Sequence, residues 1–259
     1  MLDTSILREY DIRGIVGDTL KKEDVRGIGR AFGTVVKRAG GRSVVVGYDG
    51  RLTSPALEAA LVEGLVATGV AVYRIGLGPT PMLYFAAHHL GTDGGMMITG
   101  SHNPPEYNGI KMVKANRAFF GDDIQGLGRM VRTADFTRGE GTVEDRRVAD
   151  AYVERLARDM RPGKAMTVAW DPGNGAASAV LRKLCDRLPG RHVLINDVVD
   201  GTFPAHHPDP TVEENLSDLK RAVVKHRCDL GIGFDGDGDR IGVIDGEGRV
   251  VWGDLLLVI

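Results

Sequence analysis

The chain has 259 residues, enough for one large domain or two moderate ones with real cores. Its 42% hydrophobic and 26% charged content is ordinary for a soluble globular protein. A net charge of −2, with no basic run and no aromatic-basic interleaving, gives a nucleic-acid partner no electrostatic support. Cys185 and Cys228 stand at no metal-ligand spacing and make no disulfide scaffold, so a reduced, cytoplasmic setting is expected. Residues 1–14 carry Asp3, Glu9 and Asp11 without an apolar run, which argues against a secretory signal. Nothing approaches the ~20 apolar residues of a membrane-spanning helix, so no membrane partner is expected.

Taken in order, the charged segment 8–14 precedes any periodic pattern and, by composition, reads as a solvated arm. From Asp24, Val25, Ile28, Phe32, Val35 and Val36 recur at helical spacing until Gly40-Gly41. Residues 43–47 read as a buried strand and Asp49-Gly-Arg51 as a loop. Ser54-Pro55 then opens a helix, with serine as its cap and proline in its first turn. Residues 70–75 read as a strand, and a helix starts at Thr80-Pro81. Met96, Met97 and Ile98 end a short buried strand before Gly100. Segments 109–113 and 118–120 are expected to pair as a hairpin around Lys114-Ala-Asn-Arg117. The polar stretch 137–147 reads as a domain boundary, and a helix over 148–160 stops at Pro162-Gly163. The alternation then restarts with a strand over 166–170, a glycine turn at Asp171-Pro-Gly-Asn-Gly175 and a helix over 176–188. A strand over 192–195, a helix opened by Thr211 over 212–226 and a strand over 229–234 follow. A hairpin over 240–252 turns at Asp245-Gly-Glu-Gly248. The predicted fold class is therefore α/β, as two consecutive mixed, mostly parallel α/β sandwich domains. His206-His207-Pro208 reads as an extended loop rather than a metal site, because adjacent histidines there point opposite ways.

Two loops stand out. Thr99-Gly-Ser-His-Asn-Pro-Pro-Glu-Tyr-Asn-Gly-Ile-Lys111 puts Ser101 at the tip of a glycine turn, beside His102 and Asn103. Its two prolines stiffen the exit, and Lys111 returns a cation. Asp235-Gly-Asp-Gly-Asp-Arg240 sets three carboxylates at alternate positions, separated only by glycine. Two such charges about 4 Å apart repel by about 4 kcal/mol at an effective dielectric of about 20. The loop therefore binds a cation, protonates, or remains a solvated acidic turn. A calcium helix-loop-helix is excluded, since its required glycine and terminal glutamate fall on Arg240 and Gly246. Asp235, Asp237 and Asp239 as oxygen ligands, with sites left open, suit Mg²⁺. A nucleophilic serine, a Mg²⁺ site and the cations Lys111, Arg13 and Arg240 describe phosphoryl transfer.

These motifs resemble those of the α-D-phosphohexomutases. The Ser101 loop is similar to the family's phosphoserine loop and the Asp235 loop to its metal loop. Tyr10-Asp-Ile-Arg-Gly14 is similar to its N-terminal signature, and Asp200-Gly-Thr-Phe-Pro-Ala-His-His-Pro-Asp-Pro210 is also family-like. The resemblance replaces the solvated-arm reading of the first segment. It implies interconversion of hexose 6-phosphate and hexose 1-phosphate, of mannose or glucose, through a phosphoserine and a bisphosphorylated sugar. Ser101, Asp235, Asp237 and Asp239 would hold Mg²⁺, and Arg13 and Arg240 would stabilise charge. Lys111 would assist proton transfer, His102 and Asn103 would orient the loop, and Tyr10 and Asn103 would meet the substrate. The expected domains are 1–147, carrying the serine, and 148–249, carrying the acidic loop. Residues 250–259 would start a third domain, in a truncated monomer with little mutase activity alone. The rival readings are a haloacid-dehalogenase-type hydrolase with Asp235 as nucleophile, and a non-catalytic Mg²⁺- or sugar-phosphate-binding fragment.

Overall fold

A computed structural model of the protein describes residues 2–115, 117–161 and 163–258. Asn116 of the expected hairpin turn, Pro162 of the expected helix stop, and the chain-end residues Met1 and Ile259 lie outside the described residues. The first half runs β1 (Ile12–Ile15), α1 (Lys22–Arg38), β2 (Ser43–Tyr48), α2 (Ser54–Val66), β3 (Ala71–Leu77), α3 (Thr80–His89) and β4 (Gly94–Ile98). It continues with β5 (Tyr107–Lys114), β6 (Arg117–Ala118), α4 (Asp122–Thr133) and β7 (Val143–Asp145). The second half runs α5 (Ala149–Arg158), β8 (Met166–Asp171), α6 (Ser178–Cys185), β9 (Gly190–Leu194), α7 (Ser217–His226), β10 (Leu230–Phe234), β11 (Ile241–Asp245), β12 (Val250–Val251) and α8 (Gly253–Leu256).

The strands form two mixed sheets, ordered β1-β5-β4-β2-β3-β7, with β6 on β5, and β12-β11-β10-β8-β9. In the first, β2 pairs in parallel with β3 and β4, while β5 is antiparallel to β4 and β1. In the second, β8 is parallel to β9 and β10, and β11 is antiparallel to β10. The charged N-terminal segment is thus no solvated arm: Ile12 is fully buried, and β1 takes its place at the sheet edge because β5 offers a free ladder.

Helices cover both faces of each sheet, as the buried parallel strands require. α1, α2 and α4 close one face of the first sheet around Phe32, Leu61, Met96 and Leu127. On the other face, Met82, Leu83 and Ala86 of α3 join Val153 of α5 and Val180 of α6 in one apolar cluster. That cluster spans both halves of the chain and sets how the two sheets meet.

Three local expectations are corrected. Ser54 is not a helix cap: Thr53 holds that position without a side-chain cap, and the Ser54 hydroxyl donates to Asp49 at 2.5 Å. Thr211 opens no helix, because its hydroxyl is bonded to Asp209, and residues Glu213–Leu216 form a 3₁₀ turn before α7. The unanticipated helix α4 buries Ile124 and Leu127 against the first core. Among the described residues, no helix is long and apolar enough to cross a membrane.

Two predictions follow from this packing. α1 and α2 touch through glycine, and a Cβ at Gly64 would fall on the Arg26 carbonyl oxygen. A main-chain oxygen cannot rotate away, so an overpacking cost of about 1–3 kcal/mol outweighs the helix-propensity gain of about 1 kcal/mol. Gly64→Ala should therefore lower the urea midpoint without changing the fold. The second concerns His206, whose two ring nitrogens face acceptors: the Asp171 carboxylate at 2.9 Å and the His207 carbonyl at 3.0 Å. Burial acts to lower its pKa, but the Asp171 bond and the His207 carbonyl leave it raised above the ordinary 6.5. A raised folded pKa stabilises fully below 6.5, and that contribution is lost as pH climbs through the folded value. Urea midpoints should fall over that window in the native chain and be flatter in His206→Gln.

Candidate functional site

β4 is buried throughout and ends at Ile98, so the chain must turn at the carboxyl edge of the sheet, where open α/β sheets present ligands. Thr99 and Gly100 make the turn and Ser101 sits at its tip with φ 50°. That left-handed conformation costs a residue with a Cβ about 1–2 kcal/mol and needs support. Some comes from Thr99, whose hydroxyl oxygen accepts the Ser101 N–H at 2.8 Å. β10 ends at Phe234 in the other sheet, and its loop folds around its own first carboxylate. Asp235 Oδ1 accepts the N–H groups of Asp239 at 3.0 Å and Arg240 at 3.1 Å.

The two loops meet. The Ser101 hydroxyl donates to Asp235 Oδ2 at 2.8 Å, across 134 residues of sequence. Gly236 lies so close beneath the Ser101 carbonyl that any side chain there would collide with it. One carboxylate oxygen each of Asp235, Asp237 and Asp239 lies within 4.8 Å of the others. Asp235 and Asp237 are fully buried. Asp237 Oδ2 accepts from Lys111 Nζ at 2.7 Å, Thr80 Oγ1 at 2.5 Å and Thr99 Oγ1 at 3.1 Å. Lys111 also donates to Asp239 at 2.5 Å.

The electrostatics follow from crowding. Burial, with Asp237 and Asp239 adding to it, pushes the Asp235 pKa well up. Burial acts the same way on Asp237, but Lys111 overrides it and holds that carboxyl below its ordinary value. Burial would lower the pKa of Lys111, yet the two aspartates leave it raised. Asp237 Oδ1 is buried with no hydrogen-bond partner. An orphaned carboxylate oxygen inside a set of hard oxygen donors is what a divalent cation satisfies, so these residues fit a metal. Asp235 is a poor nucleophile here because both its oxygens already accept hydrogen bonds, whereas Ser101, though also buried, donates from its hydroxyl and lines the cleft.

A cleft of about 1100 Å³ opens over this seam and is lined by Tyr10, Arg13, Ser101, Asn103, Lys111 and Arg240, among others. Arg13 bonds the Asn103 side-chain oxygen and pairs with Asp11, which ties the N-terminal segment to the serine loop. His102 Nδ1 lies 3.3 Å from the Ser101 hydroxyl; burial and then Arg240 lower its pKa, favouring the neutral ring. Tyr10 is 77% exposed and stands beside Phe120 at the mouth, 6.3 Å between rings. All the residues singled out in the sequence therefore gather around one cleft and its floor.

Several neighbours of the site carried no signal in the sequence. Thr80 and Thr99 reach Asp237, and Asp49 and Arg51 lie beneath the Ser101 loop. An isolated threonine or an Asp-Gly-Arg turn is common at strand ends, so only the tertiary contact distinguishes these.

Residues 4–138 match the family profile described as phosphoglucomutase/phosphomannomutase, alpha/beta/alpha domain I, and residues 150–248 match that of domain II. A phosphomannomutase/phosphoglucomutase of Pseudomonas aeruginosa is 43% identical over 258 residues, covering 100% of this chain and 56% of the relative. A phosphoglucomutase of Neisseria gonorrhoeae is 38% identical, over 98% of this chain and 56% of its own. The crystal structure of a phosphoglucomutase/phosphomannomutase family protein from Burkholderia thailandensis superposes with a TM-score of 0.94 at 44% identity, covering 98% of this chain and 57% of that one. The chain thus spans little more than half the length of the curated relatives it matches. With a serine loop and an acidic loop brought together at the carboxyl edges of two mixed sheets, and both profiles matched in order, the chain belongs to the phosphoglucomutase/phosphomannomutase family.

Proposed function

We propose that this chain carries the phosphoryl-transfer centre of a hexose phosphate mutase, with Ser101 as the residue that holds the phosphoryl group between half-reactions. The observation that carries the reading is the 2.8 Å bond from the Ser101 hydroxyl to Asp235, beside a buried carboxylate oxygen with no partner. Asp235, Asp237 and Asp239, with an oxygen on Ser101, would hold Mg²⁺. When bound, that ion supplies positive charge next to the oxygens of the moving group. In this reading the serine loop belongs to a unit over 1–147 and the acidic loop to one over 148–249, a division supported by family matches over 4–138 and 150–248.

The chain's own groups divide the remaining work. In the first half-reaction the bond between phosphorus and Ser101 Oγ breaks, and one forms to a sugar hydroxyl, whose proton must leave. Lys111, at the cleft wall and kept charged by Asp237 and Asp239, is the proposed relay: it gives a proton toward the departing Ser101 oxygen and takes up the one the sugar hydroxyl releases, so the serine hydroxyl is regenerated. Arg13 and Arg240 face the cleft and stabilise charge spread over the equatorial oxygens. The bisphosphorylated sugar then returns its other phosphoryl group to Ser101 by the reverse bond changes. Tyr10 and Asn103 stand at the cleft mouth and wall, where the sugar phosphate would lie. Neutral His102 orients the serine hydroxyl without adding a competing charge.

Incubating the chain with glucose 1,6-bisphosphate and Mg²⁺ should leave an acid-stable phosphoryl group on the peptide containing Ser101, read by mass spectrometry. Ser101→Ala should abolish it, and EDTA should prevent it. Phosphate released to solvent with an acid-labile adduct on Asp235 would overturn the reading. Asp237→Asn should weaken Mn²⁺ binding in calorimetry by at least about tenfold, the usual scale for losing a charged contact in a metal site.

A further inference from the structure

Arg51 has the largest side chain that is fully buried among the described residues, and nothing in the phosphoryl-transfer scheme uses it. It follows β2, the parallel neighbour of β4, so its loop lies directly under the serine loop. Its guanidinium donates from Nη2 to the carbonyls of Ser101 at 2.8 Å and Asn103 at 2.5 Å. From Nη1 it donates to those of Pro104 at 2.6 Å and Tyr107 at 3.1 Å. One planar group thus takes four main-chain carbonyls of a single loop. Asp49 anchors it with Oδ2 at 3.3 Å from Nε, and the same oxygen accepts the Gly100 N–H at 3.0 Å. Gly100 admits this approach: a Cβ there would fall on the guanidinium. Below, the arginine lies over the Phe203 ring at 5.2 Å, so the second unit's family-like segment forms its floor.

We propose that Arg51 is a positioning residue for Ser101: it holds the serine carbonyl so that the left-handed backbone aims Oγ at the acidic loop. The residues carrying the loop's chemistry are themselves poor at fixing it. The Ser101 side chain is committed to the acidic loop, and two of the carbonyls flank prolines that offer no N–H of their own. A lysine at position 51 would preserve the charge but is a point donor, without a rigid fork to span several carbonyls. Phe203, itself at φ 50° and buried, couples this scaffold to the unit that bears the aspartates.

The proposal rests on the reading of Ser101 as the phosphoryl acceptor, and its test separates the two. With glucose 1,6-bisphosphate as donor, Arg51→Lys should slow phosphorylation of Ser101 about a hundredfold, the scale of a reacting group displaced by about 1 Å. The half-saturating donor concentration should stay within about twofold of the native chain, and Mn²⁺ affinity should fall no further than it does in Ser101→Ala, since the three carboxylates of the acidic loop stay in place. Hydrogen exchange should speed up in peptides spanning 99–108 and stay unchanged across 234–240, a readout that needs no catalysis. Phe203→Leu, which keeps the apolar floor but removes the ring, should shift both readouts the same way by a smaller factor, and decides the matter if Arg51→Lys does not fold. If the native chain takes no phosphoryl group, the functional reading fails while exchange still judges the scaffold. Native exchange across 99–108 in both variants, or Mn²⁺ affinity falling in step with the rate, would overturn the positioning role.

Discussion

Three carboxylates within 4.8 Å of one another, two of them fully buried, form the constraint to which the rest of this molecule responds. Unneutralised, such a group would open the loop or force protons onto it. The fold answers from the other unit. Lys111 reaches in from β5, Thr80 from the start of α3 and Thr99 from the end of β4, all converging on Asp237. What remains unmet is one oxygen of Asp237, and that residue of unsatisfied charge is the physical mark of a cation site.

This arrangement demands that two separately built sheets meet in one register. The apolar contacts of Met82 and Leu83 with Val153 and Val180 bring them together on one side. On the other, Gly236 against the Ser101 carbonyl and Gly201 against the Gly50 turn let backbones approach with no side chain between. The interface is thus apolar where position must be set and polar where chemistry is done. Large side chains at the glycines would separate the serine from the aspartates without touching either.

The serine is a local weak point made reliable by its surroundings. Its left-handed backbone is unfavourable alone, and the bonds from Thr99 and Arg51 over-determine it. Building the nucleophile on a strained turn, with its support buried beneath, leaves Ser101 buried yet at the lining of the cleft.

Much of this could be read from the chain alone. The alternation of apolar strands and amphipathic helices, the Ser101 turn and the alternating aspartates are local patterns, and local patterns survive in one dimension. In helix α4 the helical spacing of Ile124, Leu127, Met130 and Val131 is masked by glycines at 126 and 128, which lower helix propensity, and Ser54 resembles a cap because capping chemistry and a buried bond to Asp49 use the same hydroxyl. The sequence by itself also narrowed the acidic loop to binding a cation, protonating or staying solvated. It did not say which groups would offset the loop's charge, or that Arg51, rather than a solvated turn residue, would lie beneath the serine. Those choices belong to the tertiary structure, because they depend on which surfaces of distant elements pack together, and burial alone turns an ordinary threonine, arginine or glycine into part of a site.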